Sequence, residues 1–412
     1  MANIAIFNFT GIYKDGEWKN IHYYNQIISA FKKRKHNILN FITNDIILDP
    51  WNGFNIPISS FIENSVKTKL QKFKPDLIIC FNNSKSNIVD NFDCPIVIWE
   101  ADTARYFSDK DSIKKNVDRY HFFHFSKNGA EDFINLFNAQ KKNIFYIENA
   151  TSIKSKKIKK FHDISFIGSL YDPDQFFQLK KSDVNYIDYS TANERKKILL
   201  NLISYNLKIY TNHIPLAYHD LKNCYKISDK IVFDTNETEK VMNQSLISLN
   251  HSHHQARNIG YSWRVLDILA SSSLLISEES TLLIKAFGKN IKNQFYSSAY
   301  DVRKKCDYFL KNKNAMHDLI AEQNNIINTH FRWEDRIKKI EDIFNLKPNK
   351  QKSATAKTFR NKPAKKIFIV LLLSYLRTKF NFLAPYIKYK YFIKKKNTVL
   401  YRILLRCLYF IK

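Results

Sequence analysis

The chain has 412 residues, 44% of them hydrophobic and 15% aromatic, enough apolar material for folded cores, which excludes global disorder. Its formal charge of +28 is unevenly spread: positions 350–412 hold 17 Lys plus Arg and no Asp or Glu, so a body of about +11 carries a tail of +17. Five scattered cysteines, odd in number and without a CxxC pair, argue against a disulfide framework and a structural zinc site and fit a reducing compartment.

The amino terminus "MANIAIFNF" has no basic segment ahead of its apolar residues and reads as a first β-strand, not a signal peptide. "NIAIFNF" (Asn3 to Phe9) is followed by the amphipathic "YYNQIISAFKKRKH", by "NILNFIT", and by a helix near Ile62 to Lys72. "PDLIICF" (Pro75 to Phe81), "CPIVIWE" (Cys94 to Glu100), "YHFFHFS" (Tyr120 to Ser126) and "NIFYIEN" (Asn143 to Asn149) continue the series. Short apolar runs separated by helix-length segments predict a parallel α/β sheet. After the basic "KSKKIKK" (Lys154 to Lys160) the pattern restarts at "HDISFIGSLYDPD". It continues through "NLKIYTN" (Asn206 to Asn212), "SLISLNHS" (Ser245 to Ser252), "YSWRVLDILASSSLLISEES" (Tyr261 to Ser280) and helices to Phe344. The expected layout is a Rossmann-like domain over 1–155, a second over 160–347, and a basic amphipathic tail over 348–412. Two such α/β domains face each other across a cleft, where ligands sit.

Only seven glycines occur. Gly11, Gly168 and Gly260 each stand beside a predicted strand or helix end, where a glycine either makes a turn or lets backbone approach a ligand. Neither GxGxxG nor GxxxxGK[ST] is present, so the dinucleotide fingerprint and the P-loop are both missing. In "YSWRVLDILASSSLLISEES" the spacing puts Arg264, Asp267 and Ser271 on one side of a helix that leads into the strand Leu274 to Ile276. By spacing alone, Arg264 and Asp267 are either a surface pair worth a few tenths of a kcal/mol or a ligand site.

The order "HDISFIGSL", "LKIYTNH", "SLISLNHSHHQARNIGYSWRVLDILASSSLLISEES", "FYSSAYDVRKKCDYFLKN", "THFRWEDRIKKIEDIF" resembles the carboxyl-terminal domain of CgeB-like, group 1 type glycosyltransferases of the GT-B fold, over roughly residues 160 to 345. The first half is similar to the family's acceptor domain in "PIVIWEADTARYF" and "FYIENATS". The resemblance implies an α/β GT-B fold and a nucleotide-sugar donor on the second domain, with Asp267 on the ribose hydroxyls and Arg264 on the diphosphate. The chain departs from the family's pattern in having Asp for the usual Glu at Asp267 and "SSS" where a glycine commonly follows the helix. The chemistry suits both roles: a carboxylate accepts from a diol, a guanidinium presents a fork to phosphate oxygens, and a helix amino terminus adds positive potential. Gly168 and Ser169 in "FIGSL" are expected at the phosphate loop, and Asn250 at a strand end is expected either to meet the donor or to cap a turn.

For the catalytic base, Glu100 and Asp102 follow the strand "CPIVIW", with Asp102 the first choice and His22, His121 and His124 as alternatives, a histidine among aromatics being more often core. "YDPD" contains a DxD spacing with Pro173 between the carboxylates and reads as a solvated turn. "HSHHQAR" (His251 to Arg257) reads as a loop beside the donor. No metal or cofactor is expected.

In the tail, "FIVLLLSYLRTKF" and "TVLYRILLRCLYFIK" have helical apolar periodicity interleaved with basic residues, and no apolar run reaches the ~20 residues of a spanning helix. That is the profile of interfacial helices on an anionic membrane surface. The expectation is therefore a cytoplasmic enzyme, peripheral on the inner face of the cell membrane, that adds a sugar to a glycolipid, lipopolysaccharide or capsule-type polysaccharide acceptor. No nucleic-acid partner is expected. Two rivals remain open: a non-catalytic GT-B-like protein of cell-envelope or spore-coat assembly, and a nucleic-acid-binding protein acting through its tail.

Overall fold

The computed structural model describes residues 2–8, 11–14, 17–49, 54–57, 60–100, 107, 110–170, 186–211, 216–227, 231, 234–252, 261–348 and 354–359. The interfacial tail expected over 348–412 lies almost wholly outside these residues, as do Asp102, the DxD of Asp172 and Asp174, Gly260 and the part of "HSHHQAR" after Ser252.

The first lobe is built on strands β1 (Asn3–Asn8), β2 (Asn37–Ile42), β3 (Leu77–Phe81), β4 (Ile96–Glu100), β5 (Tyr120–His124) and β6 (Ile144–Tyr146). The second is built on β7 (His162–Ile167), β8 (Leu207–Thr211), β9 (Tyr225–Ile227), β10 (Ser245–Leu249), β11 (Leu274–Glu278) and β12 (Phe295–Tyr296). A late strand, β13 (Ala356–Thr358), joins the first sheet. The sheets run β6-β5-β4-β3-β1-β2-β13 and β9-β8-β7-β10-β11-β12, with every paired strand parallel.

Parallel strands are apolar on both faces because helices cover both sides. In the first lobe, Ala5, Phe7, Ile78, Cys80, Ile96 and Ile98 enter one core while their neighbours Ile4, Ile6, Leu77, Ile79, Val97 and Trp99 enter the other. The second lobe divides in the same way, with Ile164, Ile247, Leu274 and Ile276 on one face and Ile167 and Leu275 on the other. The helices are α1 (His22–Lys33), α2 (Ser60–Phe73), α3 (Lys110–Lys115), α4 (Lys127–Phe137), α5 (Tyr186–Asn201), α6 (Thr235–Asn243), α7 (Trp263–Leu269), α8 (Thr281–Phe287), α9 (Ala299–Lys311), α10 (Lys313–His330) and α11 (Trp333–Phe344). Among the described residues no helix is long and apolar enough to cross a membrane.

The packing departs from the expected domain limits at the carboxyl end. Helix α11 sits on the first lobe: Trp333, Ile337 and Ile340 join the core of Tyr23, Tyr24, Ile27 and Phe31. Glu341 is clamped by Arg34, whose Nε donates to Oε1 at 2.8 Å, and by His36 at 2.8 Å. Strand β13 then extends the first sheet beside β2, and Phe359 enters its core. Residues 333–344 and 356–359 thus complete the first lobe, whereas sequence spacing alone assigned them to the second domain and the tail. An amphipathic helix shows in its sequence that it buries a face, not which lobe receives it.

The chain therefore crosses between lobes twice, and the crossings lie side by side. Thr151 pairs in parallel with Arg332, its N–H donates to the Phe331 carbonyl at 3.0 Å, and Arg332 Nη1 donates to the carbonyls of Ile153 at 2.6 Å and Thr151 at 3.3 Å.

Candidate functional site

In each sheet the strand order reverses about the first strand, between β1 and β3 in one and β7 and β10 in the other, and ligands of such sheets bind at the carboxyl ends of the strands flanking that reversal. Gly168 and Ser169 follow β7, and Asn250 follows β10, so these three predicted residues lie at the reversal of the second sheet. A Cβ on Gly168 would stand 3.0 Å from the Phe166 ring, so glycine allows this strand end to lie close over that ring.

The loops at this edge are tied together from below by Arg195 of α5. Its Nη1 donates to the Ser169 carbonyl at 2.6 Å, its Nη2 to the His251 carbonyl at 2.7 Å, and its guanidinium lies 5.6 Å from the centre of the Phe166 ring. Asn250 is buried, and its amide donates to Ser252 Oγ (3.0 Å), Ser277 Oγ (2.9 Å) and Glu278 Oε2 (3.3 Å). Its side chain thus shapes the loop. His251 Nδ1 sits 2.8 Å from the Tyr296 hydroxyl, and Glu278 Oε1 accepts from the Ser252 N–H at 2.5 Å. Arg195 and Glu278 were not anticipated: in "NERKK" Arg195 reads as one charge of a solvated helix face, and nothing local marks it as buried.

Helix α7 begins at the same carboxyl edge, as the helix between parallel strands β10 and β11 must. The guanidinium of Arg264 stacks on the neighbouring Trp263 ring at 4.5 Å, and its Nη1 is buried with no hydrogen-bond partner among the described residues. Burial lowers its pKa to about 10, with Asp267 opposing, so it remains a cation at neutral pH. Trp263 in turn touches the first lobe, with its ring 4.5 Å from His22 and 5.2 Å from Tyr23 at the start of α1.

Asp267, one turn further along α7, is fully buried where the lobes meet. Its Oδ1 accepts from Thr151 Oγ1 at 2.5 Å and from Gln26 Nε2 at 3.2 Å, while its Oδ2, without a hydrogen-bond partner among the described residues, lies 3.6 Å from His22 Nε2. Burial pushes its pKa up to about 6, against the pull of Arg264, Thr151 and Gln26. Burial, with the nearby Arg264 charge, holds His22 well below the ordinary imidazole value. The structure thus brings Arg264 and Asp267 to one helix, as the spacing implied, and buries Asp267 against α1 and Thr151.

Of the candidate bases, Glu100 ends β4, opposite His124 of β5, and is buried. His124 is packed against Gly129, where a Cβ would fall 2.0 Å from the ring, and His121 lies 5.0 Å from the Phe344 ring. His124 is fully buried, and His121 is half-buried among aromatic rings. Among the described residues no group of three or more His, Cys, Asp or Glu is placed to hold a metal ion.

A glycosyl transferase-like family model matches residues 195–342, which takes in Arg195, Asn250, Arg264, Asp267 and Glu278. Over those residues the chain carries the sequence of a glycosyl-transferring enzyme. Solved structures share its fold over most of its length. Sucrose-phosphate synthase from Thermosynechococcus elongatus superposes with a TM-score of 0.56 at 10% identity, over 84% of this chain and 98% of its own. Anabaena HepE in complex with UDP and glucose gives 0.54 at 10% identity, over 84% and 100%. An alpha-glucosyltransferase in complex with UDP and a 13-mer DNA containing an HMU base gives 0.56 at 12% identity, over 84% and 99%. The fold is GT-B. No curated protein matches the chain by sequence.

Proposed function

We propose that the enzyme transfers a sugar from a nucleotide-sugar donor, with the donor diphosphate at the carboxyl edge of the second sheet against Arg264. The observation that carries this reading is the Arg264 guanidinium: a cation at the start of α7, stacked in place by Trp263, with a buried N–H group that no atom of the described residues satisfies. A buried donor without an acceptor is costly, and a phosphate oxygen supplies one. Gly168 and Ser169 contribute the loop beside it, and Asn250 and Arg195 hold that loop in shape. Charge developing on the departing nucleoside diphosphate is offset by Arg264 and the α7 dipole, without a metal. UDP is bound in two of the structures that share the fold, which favours a uridine donor here. The CgeB-like resemblance belongs to the same reading. Asp267 meets the ribose only if the lobes part enough to withdraw His22 and Gln26 from it. Asp102, outside the described residues, is the first choice of base, and Glu100, at the carboxyl end of β4, is the alternative.

The acceptor we propose is a glycolipid or surface-polysaccharide intermediate, presented at an anionic membrane that the basic tail engages, each Lys or Arg near the surface adding about 1 kcal/mol. The test is co-sedimentation of the full chain and of a chain ending at Arg360, a cut that keeps β13 and Phe359 in the first lobe. The full chain is expected to pellet with phosphatidylglycerol vesicles and the shortened chain to stay in solution. Pelleting of both would remove the tail as anchor, and capture of the full chain by DNA but not by vesicles would favour a nucleic-acid arm.

A further inference from the structure

Gln26 lies on the apolar face of α1, in register with Tyr23, Ile27 and Ala30, and is buried. Five polar groups converge on its amide. The oxygen accepts from the Ser152 N–H at 2.6 Å, the Ser152 hydroxyl at 3.0 Å and the Trp333 indole N–H at 3.2 Å. The nitrogen contacts Asp267 Oδ1 at 3.2 Å and His22 Nδ1 at 3.2 Å. These come from both crossings of the chain, from α7 of the second lobe and from α1 itself.

Two of those partners leave no freedom in assigning the amide. A backbone N–H and an indole N–H only donate, so the atom they face is the oxygen and the other is the NH2. That NH2 therefore donates to His22 Nδ1, which must be bare. A neutral imidazole with a bare Nδ1 carries its proton on Nε2, and Nε2 is the atom that faces Asp267 Oδ2 at 3.6 Å. We infer that Gln26 is a positioning residue that fixes the proton arrangement of the lobe joint: it sets His22 as the Nε2–H tautomer turned toward Asp267, and holds Asp267 by its other oxygen. Two consequences follow. His22 has no free lone pair, so it is not the base that takes the acceptor proton. And Asp267, held by Gln26 and Thr151, balances the Arg264 charge from a distance without capping its Nη1; this second consequence rests on the proposed donor site.

The charged and titratable groups around the joint are His22 on α1, Asp267 and Arg264 on α7, and Arg332 ahead of α11. Gln26→Glu keeps the shape and changes only the protons. A protonated glutamic acid reproduces one donor and one acceptor of the amide; an ionised one sets a second carboxylate against Asp267. Its pKa is therefore raised in the folded state, so the stability it brings is present below the ordinary carboxyl range and is lost as pH rises through the raised value.

The experiment uses the full chain labelled with 15N in the histidine rings, with the His22 signals identified by their loss in His22→Asn. In the wild type, at pH 7 to 8, His22 is expected to show a protonated Nε2 and an unprotonated Nδ1, and to stay neutral to well below pH 6.5. In Gln26→Glu the proton is expected on Nδ1 as well, with the titration moved up by about one unit or more, and the melting temperature is expected to fall progressively behind wild type between pH 5 and pH 8. A wild-type His22 with its proton on Nδ1, or one titrating at an ordinary value, overturns the proposal; so does a Gln26→Glu protein with an unchanged tautomer. The wild-type spectrum decides alone if the variant does not fold, and because no measurement involves donor, failure here is separable from failure of the donor site.

Discussion

Trp333→Ala is expected to cost about 3–5 kcal/mol of stability, the range for emptying a buried tryptophan site. Trp333 is fully buried, stands edge-on to Tyr23 at 5.6 Å and Trp99 at 6.2 Å, and is the first residue of the helix that returns to the first lobe. Its removal would open a cavity between α1, α11 and the sheet and would also take a donor from Gln26. A domain typically has about 5–15 kcal/mol to lose, so this one truncation removes a large share. Trp333→Phe, which fills most of the volume and leaves Gln26 its Ser152 donors, is expected to lose much less. Urea denaturation of the two variants checks the order; equal losses would mean that the hydrogen bond to Gln26, not the packing, dominates.

Arg264→Ala has the largest expected effect on function. A hydrogen bond to a charged partner is worth about 1.5–3 kcal/mol, so the loss of this guanidinium is expected to weaken a nucleoside diphosphate or its sugar by about 10- to 150-fold while uridine, lacking phosphate, is unaffected. Arg264→Lys keeps the charge but not the planar fork or the stacking on Trp263, and is expected to recover only part of the affinity. Because Asp267 would then lack its main nearby counter-charge, its pKa should rise further above 6 in the alanine variant. Calorimetry at fixed salt gives the affinities, and identical affinities in wild type and Arg264→Ala would place the diphosphate elsewhere.

Much of the fold is legible in the sequence because a parallel strand buried on both faces leaves a continuous apolar run. "NIAIFNF" is β1 within one residue, and "NLKIYTN" is β8 within one residue at each end. What the sequence does not carry is which distant surface a helix meets. The apolar stripe of Trp333, Ile337 and Ile340 predicts a buried helix face, but its return to the first lobe depends on Tyr23, Tyr24 and Ile27, some three hundred positions away. The same limit applies at the site. Three- and four-residue spacing placed Arg264 and Asp267 together, yet no local pattern reveals that Thr151 and Gln26 close over the carboxylate. One signal was available: Gln26 is a polar residue in an otherwise apolar register of α1, and a polar group so placed must find buried partners. Arg195 gives no such sign among the lysines beside it.

The central claim is that a nucleotide-sugar donor binds with its diphosphate at Arg264, and the most direct measurement is calorimetric titration of the full chain with UDP, UDP-glucose and uridine, extended to GDP-, dTDP- and CMP-linked sugars. Saturable binding of at least one nucleotide sugar and of its nucleotide product is expected, weakened in Arg264→Ala, with any uridine binding the same in both proteins. Absence of saturable binding across the whole set would contradict it.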